Sequence, residues 1–123
     1  MLTSGDVVDL DLGLLMGCEA GFGHPAIVIT AQRILDAGPS VVHVVPLTTT
    51  VRAFNSEVIV EPDVANKLEK PSAAQCQHIR SISPHQIVAT RGNIGVVILA
   101  RLRKTITVVL DLPMNPPRLR QAE

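Results

Sequence analysis

The segment spanning residues 16–30 constrains the fold most strongly, because a glycine-rich loop runs directly into a short β-branched stretch. The glycines of its first half are typical of a loop. Residues 26–30 are apolar and β-branched, which predicts a buried strand. Between the two, Pro25 fixes its own φ and favours an extended conformation for His24. The sequence therefore predicts an imidazole at the start of a rigid strand, beside a loop that carries Glu19.

This arrangement of His24 and Glu19 has two interpretations. Loops carry groups that must reach a substrate, and strands hold groups in place, so the two side chains are candidate site residues. Alternatively, His24 merely ends a strand and Glu19 is a solvated charge. The segment alone leaves both interpretations open.

The remaining sequence alternates short β-branched segments with proline and glycine, which predicts a mainly β fold. Strands are predicted at residues 6–11, 26–30, 40–47, 56–60, 72–82 and 87–90. Because Pro46 lacks an N–H, we expect strand pairing to be interrupted there or the strand to lie at an edge of the sheet.

A helix is predicted over residues 94–110, with Asn93 as its N-cap. Its buried face would be formed by Ile98, Leu102, Ile106 and Val109. The many β-branched residues lower helix propensity, so a pair of strands is the alternative. Short strands with one C-terminal helix indicate a small, strongly bent antiparallel β barrel or sandwich.

Composition excludes several classes of protein. No apolar run is long enough for a membrane-spanning helix, and residues 1–11 carry three aspartates without the basic start of a signal peptide. Cys18 and Cys76 lack the spacing of a disulfide framework or a zinc site, so we expect a cytoplasmic protein without a metal or cofactor. Prolines from Pro113 onward predict a disordered tail over residues 113–123, after a single domain over residues 1–112.

Charge is distributed unevenly, although the formal net charge is zero. Residues 1–69 hold nine acidic and three basic side chains, whereas residues 70–110 hold six basic and no acidic side chains. A surface formed by the second region would suit phosphate or an acidic partner. The alternative is that these cations face the acidic half within the fold or across a dimer contact.

Three segments together resemble the MazF/PemK/Kid toxins. Residues 17–29, Gly-Cys-Glu followed by His-Pro-Ala-Ile-Val-Ile, resemble that family's G-S-E … R-P-A-V-V segment. Residues 45–58 are similar to its V-P-hydrophobic-T-[ST] … F-x-V segment, and residues 77–82 to its [DE]-Q-hydrophobic-[RK]-[ST] segment. The resemblance covers about residues 4–112, in the family's order and at its spacings.

The resemblance implies an SH3-like antiparallel β barrel with a C-terminal helix, assembled as a homodimer. It also implies a toxin of a type II toxin–antitoxin system that inhibits translation and growth. The implied activity is metal-independent, sequence-specific cleavage of single-stranded RNA, with attack by the 2′-OH giving 2′,3′-cyclic phosphate and 5′-OH ends. The implied partner is a MazE-like antitoxin with a disordered acidic tail.

Such cleavage needs a base for the 2′-OH, a donor for the phosphorane charge and an acid for the leaving oxygen. The resemblance assigns these catalytic roles to Glu19, His24 and Thr48. Glu19 matches a proton acceptor, and the Thr48 hydroxyl matches a donor to phosphate. His24 stands where the family has arginine, and an imidazole, unlike a guanidinium, can exchange a proton near neutral pH. His24 is therefore either an acid or base, or a phosphate ligand only when protonated.

The resemblance also places a set of substrate-binding side chains around these three. They are Phe22, Thr49, Arg52, Gln75, Gln77, His78 and Arg80. Gln75 and Gln77 replace charged residues of some members, and His78 replaces a glutamine, so a His24/His78 acid–base pair is our sharpest hypothesis. The alternatives are that His78 packs at a dimer seam and that Arg52 supplies the missing cation. Phe22 is the candidate for a base contact by stacking, whereas the resemblance implies that Phe54 packs into the core below its loop.

Two other functions remain open. One is a non-catalytic toxin that acts on a protein such as DNA gyrase. A resemblance to such toxins would imply a C-terminal Trp-Gly-Ile, but this chain has no tryptophan. The other is an RNA-binding module that has lost catalysis. On the same loop, Cys18 is either an idle thiol or a redox-sensitive one.

Overall fold

The computed structural model describes residues 1–13 and 24–113. Within these residues, seven strands form, namely β1 (Asp6–Leu10), β2 (His24–Val28), β3 (Val42–Thr48), β4 (Glu57–Val60), β5 (Ser72–Gln75), β6 (Arg80–Ile82) and β7 (Ile87–Asn93). The helices are α1 (Gln32–Leu35) and α2 (Gly95–Val109), and 3₁₀ turns lie at Cys76–His78 and Pro84–Gln86. The prediction of a mainly β fold with one C-terminal helix is confirmed. In this part of the chain, neither helix has the length and apolar character needed to cross a membrane.

All strand pairs are antiparallel, in the order β4-β5-β3-β2-β1-β7, with β6 also paired to β3. β3 is therefore central, so of the two alternatives expected from Pro46 the structure shows interrupted pairing and not an edge position. The expected interruption is present on one side only, because β3 pairs with β6 at residues 42–44 and with β5 at residues 47–48. Pro46, which has no N–H to donate, falls in the gap between these two partners.

The single strand predicted over residues 72–82 is instead two strands separated by the 3₁₀ turn Cys76–His78. The two strands pair with different parts of β3, so the chain must turn between them. This turn places Gln77 and His78 outside the ladder. As a result, the site residues predicted on one strand are divided among β5, the turn and β6.

Two apolar clusters fill the two faces of the sheet. One face packs against α2 and buries Val7, Ile27, Val45, Leu47, Val60, Leu99, Leu102 and Ile106, among others. The opposite face buries Val8, Leu10, Ala26, Val28, Leu35, Val42, Val44 and Ile82. The alternation of side chains along β1, β2 and β3 accounts for this division, since neighbours in sequence point to opposite faces.

The face of α2 that packs on the sheet differs by one position from the prediction. Leu102 and Ile106 are buried as expected, and Ile98 is partly buried, but Leu99 rather than Val109 completes the contact. The helix begins at Gly95 with Ile94 in the cap position. Asn93 nevertheless acts as a capping side chain, because its Oδ1 accepts a hydrogen bond of 2.8 Å from the Gly95 N–H.

Candidate active site

His24 and Thr48 lie at adjacent ends of neighbouring strands. In the β2–β3 ladder, Ala26 is opposite Pro46 and Val28 is opposite Val44. Continuing this register by two residues places His24 opposite Thr48. Alternation then directs both side chains to the face that carries Ala26. The fold therefore brings two predicted catalytic residues together, whereas Glu19, Phe22 and Cys18 lie outside the described residues.

The two groups are poised differently for chemistry. Thr48 Oγ1 accepts a hydrogen bond of 3.1 Å from the Thr50 N–H, which leaves the hydroxyl proton for donation. His24 is half-buried, and its Nε2 has no hydrogen-bond partner among the described residues. A threonine O–H and an imidazole nitrogen at one strand end are suitable for contacting a phosphate and transferring a proton.

Arg80 belongs to the same face but to a different part of it. It is opposite Val44 in the β3–β6 ladder and is half-buried. Because a strand rises about 3.3 Å per residue, Val44 and Thr48 are separated by about 13 Å along β3. Arg80 is thus distant from Thr48, and the Val44 side chain opposite it is buried in the apolar cluster of this face. His78 is exposed at the end of the 3₁₀ turn.

Three predicted substrate-binding side chains converge on Glu57, a residue that the sequence analysis did not select. The carboxylate Oε2 accepts hydrogen bonds from Arg52 (2.8 Å), Gln77 (2.8 Å) and Gln75 (3.4 Å). The Glu57 side chain is fully buried, whereas that of Arg52 is 41% exposed. We call these four residues the Glu57 cluster.

The strand register places the Glu57 cluster next to Thr48. Glu57 is opposite Gln75 in the β4–β5 ladder, and Ala73 of the same strand β5 is opposite Thr48 in the β3–β5 ladder. Since alternate residues of a strand share a face, Gln75 and Ala73 point to the same side of the sheet as Thr48. The cluster is therefore continuous with the His24–Thr48 end of the site.

The charge of Glu57 is stabilised despite its burial. Burial alone raises the pKa of this carboxyl, but the hydrogen bonds from Gln77, Arg52 and Gln75, together with the Arg52 charge, outweigh it and lower the pKa below its usual 4.5. Arg52 is consequently part of an internal ion pair. The alternative that Arg52 supplies the missing cation stays a prediction, and the structure adds that its guanidinium is paired with Glu57 and 41% exposed.

The loop that carries Arg52 is organised around this guanidinium. Arg52 lies over the Phe54 ring, 4.6 Å from its centroid. Phe54 is 50% exposed, so the expectation that it packs into the core was wrong. Ala53 between them has a left-handed φ of 58°. The aromatic ring supports the cation of the Glu57 cluster and leaves the core to aliphatic side chains.

Thr49 lines a cleft of about 250 Å³ on the opposite side of the strand ends. The other lining residues are Pro25, Leu68, Glu69, Lys70, Ser72 and Arg91. Pro25 and Thr49 each follow a site residue by one position and so point to the other face. Arg91 forms two hydrogen bonds to Asp9, of 3.0 and 2.8 Å, so part of the basic region does face the acidic half within the fold.

Potential metal ligands are not grouped in this fold: within residues 1–13 and 24–113, no three His, Cys, Asp or Glu side chains form a cluster that could hold a metal ion. The side chains assembled at the strand ends are instead an imidazole, a hydroxyl, two amides and a paired guanidinium. These groups are suited to hydrogen bonding and proton transfer on a polar ligand.

This geometry defines a class of protein: a small antiparallel β domain that is covered on one face by a C-terminal helix and carries a polar site at its strand ends. Residues 3–110 match the model of one family, described as the PemK-like, MazF-like toxin of type II toxin–antitoxin systems. The match covers most of the sequence, and the chain belongs to this family.

Individual relatives agree with this assignment. Endoribonuclease MazF9 of Mycobacterium tuberculosis is 27% identical over 116 residues, which cover 91% of this chain and 98% of the relative. The solved M. tuberculosis toxin MazF-mt6 has a TM-score of 0.71 at 23% identity, covering 88% of this chain and 98% of its own. An endoribonuclease from a mycobacterial species, solved with its cognate antitoxin, has a TM-score of 0.73 at 18% identity, covering 94% and 100%. The likeness of these structures confirms the predicted fold class.

Proposed function

We propose that this toxin is a cytoplasmic, metal-independent endoribonuclease that cleaves single-stranded RNA at specific sequences and so inhibits translation and growth. The observation that carries the proposal is the β2–β3 register, which sets His24 opposite Thr48 when it is continued by two residues, in a chain that matches the toxin family over residues 3–110. The sequence relative named as an endoribonuclease supports the same activity.

The reaction assigned to this site balances without an external reagent. A base, His24 or Glu19, takes the proton of the ribose 2′-OH, and the 2′-oxygen forms a bond to phosphorus. The Thr48 hydroxyl donates a hydrogen bond to a non-bridging phosphate oxygen, where negative charge develops. The bond from phosphorus to the 5′-oxygen breaks, and the protonated partner acid supplies the proton to that oxygen. The products are a 2′,3′-cyclic phosphate and a 5′-OH.

The remaining polar groups would bind the RNA on either side of the scissile phosphate. Arg80, about four strand positions from Thr48, is suited to a more distant backbone phosphate. His78, which is exposed, and Thr49 offer further hydrogen-bond donors near the strand ends. Phe22 would stack on a base.

We further propose a homodimer that is bound by a MazE-like antitoxin with a disordered acidic tail. Solved relatives include an endoribonuclease and a Deinococcus radiodurans MazF, each in complex with its antitoxin. Helix α2 offers exposed Arg101 and Lys104 together with Val96, Val97 and Val108. Such a basic and apolar surface would suit an acidic segment with apolar anchors. The toxin domain would span residues 1–112, followed by a proline-rich tail over residues 113–123, of which 114–123 lie outside the described residues.

The proposal is tested by following cleavage of a mixed-sequence single-stranded RNA in EDTA between pH 5 and 8. We compare the wild type with His24→Ala, and with His85→Ala as the control, because His85 is an exposed histidine in the separate 3₁₀ turn Pro84–Gln86. We expect 5′-OH products from the wild type and the control, and a loss of at least about 100-fold in His24→Ala.

Two other outcomes would change the proposal. Full cleavage by His24→Ala would transfer the acid–base role to Glu19. A folded wild type that binds the RNA and leaves it intact would contradict the endoribonuclease and favour the RNA-binding module.

A further inference from the structure

The Glu57 cluster is an unusual use of a carboxylate near a site that must bind a polyanion. The Glu57 side chain is fully buried, and one of its oxygens receives all three donors of the cluster. Its negative charge would repel RNA if it were exposed. Here it is enclosed by the groups that we expected to face the substrate.

We propose that Glu57 is a positioning residue for RNA cleavage, which holds Arg52 and the amides of Gln75 and Gln77 in a fixed arrangement beside Thr48. The inference rests on the endoribonuclease proposed above. It assigns no contact between Glu57 and the RNA. It states instead that the three side chains reach productive geometry only while the carboxylate holds them.

The contacts support this because one atom on β4 joins the loop after β3 to the continuous stretch of β5 and the 3₁₀ turn that follows it. Arg52 lies on the loop after β3, Gln75 ends β5, and Gln77 lies in the 3₁₀ turn. The backbone gives some independent support, since the Glu57 N–H bonds to the Phe54 carbonyl (3.0 Å) and the Cys76 N–H to the Ser56 carbonyl (3.1 Å). Long side chains such as Arg and Gln have many rotamers, and the carboxylate selects one for each.

The ion pair also fixes how much charge the site offers to RNA. Arg52 is compensated by Glu57, so it adds little net attraction for phosphate. Removing the carboxylate charge would leave Arg52 as an uncompensated cation at the site. A positioning role therefore predicts that loss of the charge changes RNA affinity and kcat in opposite directions: the affinity rises and kcat falls. A merely structural role predicts lower stability and no gain in RNA affinity.

Two substitutions separate the effect of the Glu57 charge from the effect of its side-chain length. Glu57→Gln keeps the shape and removes the charge, whereas Glu57→Asp keeps the charge and shortens the side chain. The matched control is Glu61→Gln, which removes the same charge from an exposed residue just after β4. Each folded variant is assayed for kcat and KM on mixed-sequence RNA, and for equilibrium binding of a 2′-O-methyl RNA across a range of salt concentrations.

We expect kcat to fall by about 10- to 100-fold in both Glu57 variants, because small displacements of positioned groups cost rates of this order. Only Glu57→Gln should bind the 2′-O-methyl RNA more tightly, with a slope of log K against log salt that is steeper by about 0.7 for one added phosphate contact. Glu61→Gln should retain the wild-type kcat and show no tighter binding. If Glu57→Gln does not fold, the kcat of Glu57→Asp tests the positioning role on its own: a reduced kcat supports it, and a wild-type kcat contradicts it.

The outcomes separate the two proposals. A wild type that cleaves, with Glu57 variants that match Glu61→Gln in kcat, would overturn the positioning role and leave the endoribonuclease intact. A folded wild type that does not cleave RNA would overturn both.

Discussion

Two buried regions of this molecule are stabilised in opposite ways. Beneath α2, Leu102, Ile27 and Val45 are completely buried and make only apolar contacts, which stabilise the fold in proportion to the area they remove from water. In the Glu57 cluster, the carboxylate is buried at a cost in desolvation, which directional hydrogen bonds must offset. The first region determines how stable the fold is, and the second determines how a set of polar side chains is arranged and how that arrangement responds to pH.

The apolar region should give the largest loss of stability. Leu102→Ala removes a completely buried side chain between α2 and the sheet, and should lower the free energy of unfolding by about 2–5 kcal/mol. The loss should be the same at pH 4 and pH 7, because Leu102 carries no titratable group. Urea unfolding followed by circular dichroism measures it. The control is Val97→Ala, because Val97 is 64% exposed on the same helix. Its free energy of unfolding should stay within about 0.5 kcal/mol of the wild type. A small loss for Leu102→Ala would mean that α2 packs less tightly than the structure shows.

The Glu57 cluster should give a smaller loss that depends on pH. Glu57→Gln should cost about 1–3 kcal/mol at pH 7, less than for a fully buried pair because Arg52 is partly exposed and can be hydrated. The folded pKa of Glu57 lies below the usual 4.5, so in acid the unfolded chain takes up the proton first. The stabilisation is therefore complete above about pH 4.5 and is lost as the pH falls through the lower folded pKa.

The measurement for this prediction is the urea midpoint of wild type and Glu57→Gln from pH 7 down to pH 3. The difference in urea midpoint between these two proteins should become smaller in acid. The difference between wild type and Leu102→Ala should not change with pH. Glu61→Gln again controls for removal of one acidic group. A gap that stays constant with pH would show that the charge of Glu57 contributes nothing and that only its shape matters.

The same contrast explains what the sequence could predict. Core positions follow local periodicity, so Leu102 and Ile106 were identified from helical spacing alone. Val109 was wrong because the helix turns its last residues toward solvent. The Glu57 cluster follows no local pattern, because the partners of Glu57 lie 5, 18 and 20 residues away and meet only through strand pairing. The one signal for this cluster in the sequence was a glutamate at the start of a β-branched strand.

The candidate site was predictable to the extent that family motifs mark it. Thr48 was selected from the resemblance and His24 also from its position before Pro25, and the β2–β3 register, continued by two residues, sets them opposite each other. Their catalytic roles, like those of the other selected residues, stay predictions. The position of Phe54 could not be predicted, because the sequence does not reveal that Arg52 would occupy the face of its ring.

A second ion pair sharpens the comparison, since it has two hydrogen bonds where the first has one, but its carboxylate is less buried. Arg91 donates two hydrogen bonds to Asp9, but the two side chains are 34% and 17% exposed. Arg91→Gln should therefore cost at most about 1 kcal/mol, and the cost should shrink in high salt. Urea midpoints at low and high salt test this. A loss as large as that of Glu57→Gln would mean that pairing, rather than burial, decides the strength of such contacts.

The smallest effect is expected where the two regions meet, at Cys76. This residue belongs to the apolar cluster under α2, and it opens the 3₁₀ turn that carries Gln77. Burial, with a further contribution from the nearby Glu57 charge, raises the pKa of the Cys76 thiol from 9.0 to about 11, although a backbone hydrogen bond lowers it in part. At pH 8 the thiolate fraction is then about 100-fold below that of an ordinary cysteine, and only the thiolate reacts.

In a Cys18→Ser background, Cys76 is the one remaining cysteine and should react with a disulfide reagent only when the protein unfolds. Adding Glu57→Gln removes the repulsive charge and should lower the thiol pKa slightly, while the thiol stays covered by the core. The labelling rate of the folded protein should therefore rise modestly and remain far below that of the urea-unfolded chain. Rapid labelling of both folded proteins would show that the boundary between core and cluster opens to solvent, and would place the Glu57 cluster among the surface contacts instead of the buried ones.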